Sequence, residues 1–322
     1  MKEDGMSFRI IGTGSAVPSK IVTNDDLSGM METNDEWIRT RVGVAERRIA
    51  ITESTADLAY EAAAKALDMS GVSAESIDLI IAATITSDRI CPTTAGTVQA
   101  RLGASCPAFD ISSACSGFLF ALETAAGFFA RGTAKRALVI GAERISKIID
   151  WNDRSTAVIF GDGAGAAVLE AGDSYLCSEI RTMGGDDVIK IPAFGGTSPF
   201  TEIEKEEPVI FMEGQETFKF AVGAFVNHIH SMAETAGIAV GDIGHIIPHQ
   251  ANERIIRMAA RRLKLPDEKF VMNIDRYGNT AAASVPIALD ERNRSGKIKP
   301  GDLVAMVAFG GGLSSAGCLL RW

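Results

Sequence analysis

The stretch AFDISSACSGFLFALETAAGFFARG, residues 108–132, governs how the rest of the chain is read. It opens as a short strand, AFDIS, passes through small residues, and continues as a helix candidate from Gly117 to Arg131. Cys115 lies at that junction, at or near the helix N-terminus. Unpaired N–H groups and the helix dipole there favour a thiolate, the nucleophilic form of the side chain. Ser112, Ser113, Ala114, Ser116 and Gly117 are all small and leave the sulfur open to a bulky substrate. A cysteine in an arbitrary context is more often a small apolar filler. That reading suits Cys106, Cys177 and Cys318; for Cys115 it gives way only when partners are found.

Outward from this segment, strand and helix signals alternate along all 322 residues. ESIDLIIAATIT (75–86), ALVIGAE (137–143), GHIIPH (244–249) and DLVAMVAFG (302–310) have the continuous apolar centres of strands buried on both faces. TADLAYEAAAKALDMSG (55–71) and GQETFKFAVGAFVNHIHSMAETAG (214–237) carry helical apolar spacing and end on glycine. The alternation predicts an α/β fold with a largely parallel sheet. FGDGAGAAVLEA (160–171) resembles FGGGLSSAGCLL (309–320), and SIDLIIAA (76–83) resembles DIGHIIPH (242–249), in the same order. This faint repeat predicts two similar halves, 1–174 and 175–322, sharing one body.

The bulk numbers narrow the function. A net charge of −9 argues against general nucleic-acid binding. No apolar run reaches membrane-spanning length, and MKEDGMSFRIIG lacks a signal-peptide core, so a cytoplasmic location is expected. The five cysteines, with no CxxC and no Cys/His cluster, indicate neither a metal site nor a disulfide framework.

Two partners for Cys115 stand out. His249, in IIPHQAN (246–252), follows a strand candidate and precedes a helix, where sites in α/β sheets form. Asn279 lies in the turn-rich YGNTAAASVP (277–286); an Asn beside Gly is more often a turn residue than a catalyst. His228 and His230 fall in a helix and His245 in a strand, and read as structural or surface groups.

DISSACSGF, HQAN and YGNTAAASVP, in this order, resemble the three signature segments of the β-ketoacyl-acyl-carrier-protein synthase III family. NDEWIRTRVGVAERRIA (34–50), FGDGAGA (160–166) and AFGGG (308–312) extend the resemblance over essentially the whole chain. It implies a thiolase-like fold, with duplicated halves in five layers, α-β-α-β-α, as a homodimer. It implies a Cys115–His249–Asn279 triad and a decarboxylative Claisen condensation of an acyl-CoA primer with malonyl-acyl carrier protein, without metal or organic cofactor. Asn279, rather than a second histidine, points to the initiating type. The Cys115 and Gly311 N–H groups are the implied oxyanion donors. Trp37 and Arg154 resemble the pair that sandwiches the adenine of CoA, with Arg41 near its phosphates and Asn252 near the pantetheine arm.

In ERIIRMAARRLKL (253–265), Arg254, Arg261 and Arg262 form a basic face on an acidic chain, and the resemblance makes them, with Lys219, a docking patch for acidic acyl carrier protein. Arg47 and Arg48 read instead as solvated surface. Cys91 stands where many members carry a bulky aromatic that closes the acyl pocket across the dimer; a smaller residue there would admit longer or branched primers, unless a neighbour such as Ile90 compensates. Ala281, where Ser is common, reads as neutral.

Three rivals remain at this level. GTGSAV (12–17) and GDGAGA (161–166) hint at a nucleotide-binding oxidoreductase, but neither completes GxGxxG before a helix. SACSG hints at a cysteine hydrolase, which would need an Asp/His pair. A secondary-metabolism relative could keep the fold and transfer acyl groups without decarboxylation.

Overall fold

The structure is a computed structural model that describes residues 7–193, 198–200 and 206–322. Residues 1–6 of the N-terminal stretch MKEDGMSFRIIG lie outside the described residues. The first sheet contains β1 (Ser7–Ala16), β2 (Leu79–Ala83), β3 (Ala108–Ile111), β4 (Arg136–Arg144) and β5 (Asp162–Gly172), in the order β1-β5-β4-β2-β3. The second contains β6 (Tyr175–Thr182), β7 (His245–Pro248), β8 (Leu303–Gly310) and β9 (Ser314–Arg321), in the order β7-β8-β9-β6. The last strand of one sheet ends at Gly172 and the first of the other begins at Tyr175.

The expectation of a largely parallel sheet is corrected. Only β2–β3, β2–β4 and β7–β8 pair parallel; β1–β5, β4–β5, β8–β9 and β6–β9 are antiparallel. Strands buried on both faces read as continuous apolar runs whatever the direction of their neighbours, so the pattern could not tell the two arrangements apart.

Six helices sort into three layers: α1 (Thr55–Ser70), α2 (Thr94–Leu102), α3 (Gly117–Ala130), α4 (Gly214–Ala236), α5 (Glu253–Leu263) and α6 (Ser284–Arg294). α1 and α2 cover the outer face of the first sheet, burying Leu58, Ala62, Ala66 and Val98 against Ile80, Leu138 and Val168. α4 and α5 cover the outer face of the second, burying Phe225, Ile229, Ile256 and Ala259 against Val307 and Leu319. α3 and α6 lie between the sheets and touch both. Phe118, Leu122, Val285 and Leu289 from these helices meet Ile81 and Val139 on one side and Val304 and Met306 on the other. The result is five layers, α-β-α-β-α.

This central layer explains the glycine-rich segments. GTGSAV lies mostly within β1, and GDGAGA leads into β5. A Cβ on Gly165 would fall 2.7 Å from the backbone of Pro286 and Ile287 in α6, so the motif permits helix and sheet to approach closely. Both segments are strand sequences rather than the strand-to-helix loop of a dinucleotide site.

α1 starts at a capping box, with Ser54 and Asp57 bonded reciprocally, and stops at Gly71 in a left-handed conformation. The short ladder of Ile21–Thr23 with Glu46–Arg48 corrects another expectation. Its alternation turns Arg47 fully inward, at 0% exposure, where its guanidinium donates to the carbonyls of Val22 (3.2 Å) and Val158 (2.9 Å) and to Asn24 Oδ1 (2.9 Å). Burial lowers its pKa to about 10. Arg48 is half-buried beside Glu46.

Candidate active site

The turn that carries Cys115 is built where β3 meets α3. Ala114–Ser116 form a short 3₁₀ turn directly before α3. Ala114 adopts φ +46°, a left-handed conformation that costs a non-glycine residue about 1 kcal/mol and is held here by the packing around it. Cys115 opens into a cavity of about 600 Å³ that His249, Asn279 and Gly311 also line. Ile85, Ile145, Ile159, Phe160 and Ile210 supply much of its apolar wall.

Each partner arrives from a different element. His249 immediately follows β7; its N–H donates to the Val307 carbonyl of β8 at 2.7 Å, and its ring meets the Phe309 ring edge-on at 5.3 Å. Its Nδ1 lies 2.6 Å from Ser284 Oγ at the start of α6. Asn279 sits in the turn before α6, its backbone bonded to Ile159 and Gly161. Its side-chain oxygen accepts the Ala281 N–H at 2.8 Å, and a backbone donor can bond only that end of the amide. The amide is thereby oriented, with its NH₂ left for the cavity. The same bond gives the Ala281 backbone a role that the reading of its side chain as neutral could not detect.

Electrostatics correct the expected thiolate. Burial, reinforced by the Glu143 carboxyl, pushes the Cys115 thiol up to about 12. Burial lowers His249 to about 3. Desolvation outweighs the helix N-terminus, and the pair rests as neutral thiol and neutral imidazole. Glu143 is itself buried and raised to about 8; it accepts from Thr84 Oγ1 and the Ile85 N–H at 3.2 Å, and also from Thr86 Oγ1. This acid gave no signal in sequence, because an isolated Glu inside a strand resembles an edge residue.

Of the remaining expected site residues, Asn252 lines the cavity and the others do not. The Arg154 guanidinium lies 5.2 Å from the Trp37 ring centroid and donates to the Glu32 carbonyl at 2.7 Å. Arg41 is exposed, and its carbonyl accepts from Asn252 Nδ2 at 3.1 Å. Asn252 lines the cavity while its Oδ1 caps α5 through the Arg254 N–H. Arg254, Arg261 and Arg262 are exposed along α5, and Arg254 lies 5.7 Å over the Phe218 ring. Lys219 is exposed and paired with Glu216 at 2.6 Å. Cys91 is exposed next to Ile90, which is 89% exposed; within one chain neither lines the cavity. His228 is buried between Glu179 and Ser315 and His245 between Asp302 and Arg292, while His230 is exposed on α4.

Among the described residues, no group of three or more His, Cys, Asp or Glu side chains could hold a metal ion. None of the described helices is long and apolar enough to cross a membrane.

A five-layer α-β-α-β-α body with cysteine, histidine and asparagine lining one cavity defines the class as a thiolase-like acyltransferase. Residues 109–184 match the family described as 3-oxoacyl-(acyl-carrier-protein) synthase III, and residues 233–322 match its C-terminal region. The chain is 50% identical to the β-ketoacyl-(acyl-carrier-protein) synthase III of Caldanaerobacter subterraneus subsp. tengcongensis, over 97% of each chain. It is 46% identical to that of Clostridium acetobutylicum, over 98% of this chain and 99% of the other. The crystal structure of the Aquifex aeolicus 3-oxoacyl-(acyl-carrier-protein) synthase III superposes with a TM-score of 0.92 at 44% identity, covering 99% of this chain and 100% of the other. The chain belongs to the β-ketoacyl-acyl-carrier-protein synthase III family, the initiating branch of the condensing enzymes.

Proposed function

We propose that this chain condenses an acyl-CoA primer with malonyl-acyl carrier protein to give 3-oxoacyl-acyl carrier protein and CO₂, initiating fatty acid biosynthesis. The observation that carries the reading is that Cys115, His249 and Asn279 line one and the same cavity. In the first half-reaction Cys115 sulfur attacks the acyl-CoA carbonyl. The C–S bond to CoA breaks, and the thiol proton leaves on CoA. Backbone N–H groups of Cys115 and Gly311 are the proposed donors to the tetrahedral oxyanion, each worth about 3 kcal/mol.

In the second half-reaction malonyl-acyl carrier protein loses CO₂ to leave an enolate. Its oxygen is held by His249 Nε2–H and the Asn279 NH₂; neither donor carries charge, and Asn279 cannot titrate. The enolate carbon attacks the acyl thioester, the C–S bond to Cys115 breaks, and the released thiolate regains a proton.

Trp37 and Arg154 are assigned to the adenine of CoA, Arg41 to its phosphates and Asn252 to the pantetheine arm. Lys219, Arg254, Arg261 and Arg262 are assigned to acyl carrier protein, and Cys91 to the acyl pocket across a homodimer. The catalytic halves are drawn at 1–174 and 175–322, with Cys115 in the first and His249 and Asn279 in the second. The test is an assay of purified protein with malonyl-acyl carrier protein and a panel of acyl-CoA primers, read by product mass. A 3-oxoacyl product two carbons longer than the primer is expected; free acid alone, released without malonate dependence, would overturn the reading.

A further inference from the structure

His249 lines the cavity, whereas Ser284, which does not line it, contacts the ring at Nδ1. Ser284 is buried, 2% exposed, and its Oγ lies 2.6 Å from His249 Nδ1. The same oxygen accepts the backbone N–H of Gln250 at 3.1 Å. A hydroxyl has one hydrogen to give and two lone pairs. Gln250 occupies one lone pair, so the open question is the direction of the bond to Nδ1.

If Nδ1 carried the proton, it would donate to Ser284, and the hydroxyl hydrogen would need another acceptor. Among the described residues Ser284 Oγ is hydrogen-bonded only to His249 Nδ1 and the Gln250 N–H. Leaving a buried hydroxyl donor unpaired costs about 1–3 kcal/mol. If Ser284 donates to Nδ1 instead, every group is satisfied and the ring proton resides on Nε2.

The backbone around the ring leaves little freedom to escape this arrangement. The His249 N–H is held by Val307. The Gln250 side chain donates to the carbonyls of Pro248 and Val271 and accepts the N–H groups of Asn273 and Ile274. Phe309 blocks one side of the imidazole.

We infer that Ser284 is a positioning residue that locks neutral His249 as the Nε2–H tautomer, presenting a donor rather than an acceptor to the cavity. The inference rests on the reading of His249 as the donor to the enolate oxygen. Ser284 therefore serves decarboxylation and condensation, and not the transfer of the acyl group to Cys115.

The test uses the full-length protein labelled with ¹⁵N histidine. Its four imidazoles are resolved by ¹⁵N NMR, and His249 is assigned by the signal lost in His249→Gln. The expected spectrum has a pyrrole-type Nε2 and a pyridine-type Nδ1 for His249. In Ser284→Ala the population shifts toward Nδ1–H. Decarboxylation of malonyl-acyl carrier protein then falls by at least about tenfold, as expected for a histidine in the wrong tautomer, while Cys115 acylation is spared. Ser284→Thr, which keeps the hydroxyl, restores both. A wild-type His249 protonated at Nδ1 overturns the inference, as does Ser284→Ala that changes neither the spectrum nor decarboxylation. Should Ser284→Ala not fold, the wild-type spectrum and Ser284→Thr decide the matter. An Nε2–H signature in a chain that forms no 3-oxoacyl product supports the role of Ser284 and counts against the proposed function alone.

Discussion

The Cβ that Gly310 lacks would fall 2.8 Å from Cβ and 3.1 Å from Sγ of Cys115. The last residue of β8 thus abuts the turn that carries Cys115, and the space there is set by a hydrogen atom. Gly310→Ala is expected to displace the sulfur. A misplacement of about 1 Å at a reacting atom costs on the order of 10²-fold in rate. Stopped-flow acylation with acyl-CoA checks it, with thermal melting as the control for folding. Gly311→Ala, where the nearest side-chain atom to an added Cβ lies 3.3 Å away, is expected to be milder.

Separate half-reactions distinguish the proposed donors from the proposed nucleophile. Cys115→Ala should abolish acyl transfer. Asn279→Ala should lower malonyl decarboxylation by about 10²–10³-fold, the loss typical of one oxyanion donor, and leave Cys115 acylation nearly intact. Single-turnover acylation and ¹⁴CO₂ release measure the two. Equal loss of both would contradict the division of roles.

The depth of the thiol makes its own prediction. With Cys115 pushed up to about 12, only a small fraction is thiolate at neutral pH, and that fraction rises about tenfold per pH unit below the pKa. Alkylation of the substrate-free protein by iodoacetamide should therefore accelerate continuously from pH 7 to pH 10. Ionisation of Glu143 above about 8 opposes the thiolate and flattens the rise, an effect that Glu143→Gln should remove. A plateau below pH 8 would show a stabilised thiolate instead.

Arg47 is a structural cation. Arg47→Ala would orphan the Val22 and Val158 carbonyls and Asn24 Oδ1 in the interior. The loss is expected to be on the order of 3 kcal/mol, read by urea unfolding. Lys, with one compact ammonium in place of a planar fork, should recover only part of it. An effect under about 0.5 kcal/mol, usual for an exposed arginine, would place this side chain at the surface.

The exposed face of α5 predicts a salt-sensitive partner. Reversing charge at Arg254 and Arg261 should raise KM for malonyl-acyl carrier protein and spare KM for acyl-CoA. Added salt should narrow the difference between variant and parent, because exposed charges are screened within about 10 Å at 0.1 M. An unchanged KM for the carrier protein would remove α5 from the docking surface.

Local pattern made the α/β class, the helix ends at Gly71 and Gly237, and the helix after Cys115 legible, because apolar period, caps and turn glycines act within a few residues. Ordered motifs made the family resemblance legible too. Strand direction was not, since double burial erases the alternation that separates one arrangement from another. Arg47 was misread because two adjacent arginines look alike until a ladder turns one inward. Cys115 was expected as a thiolate because the helix N-terminus is visible in the chain, whereas the depth of the cavity and the nearness of Glu143 are not.

Residue type and short-range periodicity determined by themselves that this chain would alternate strands with helices, and the ordered motifs around Cys115, His249 and Asn279 carried the family resemblance. Only the tertiary structure decided which way each group faces and what charge it holds. Desolvation and hydrogen-bond direction depend on atoms brought together from distant parts of the chain: Ser284 against His249, Gly310 against Cys115, Arg47 against Val158.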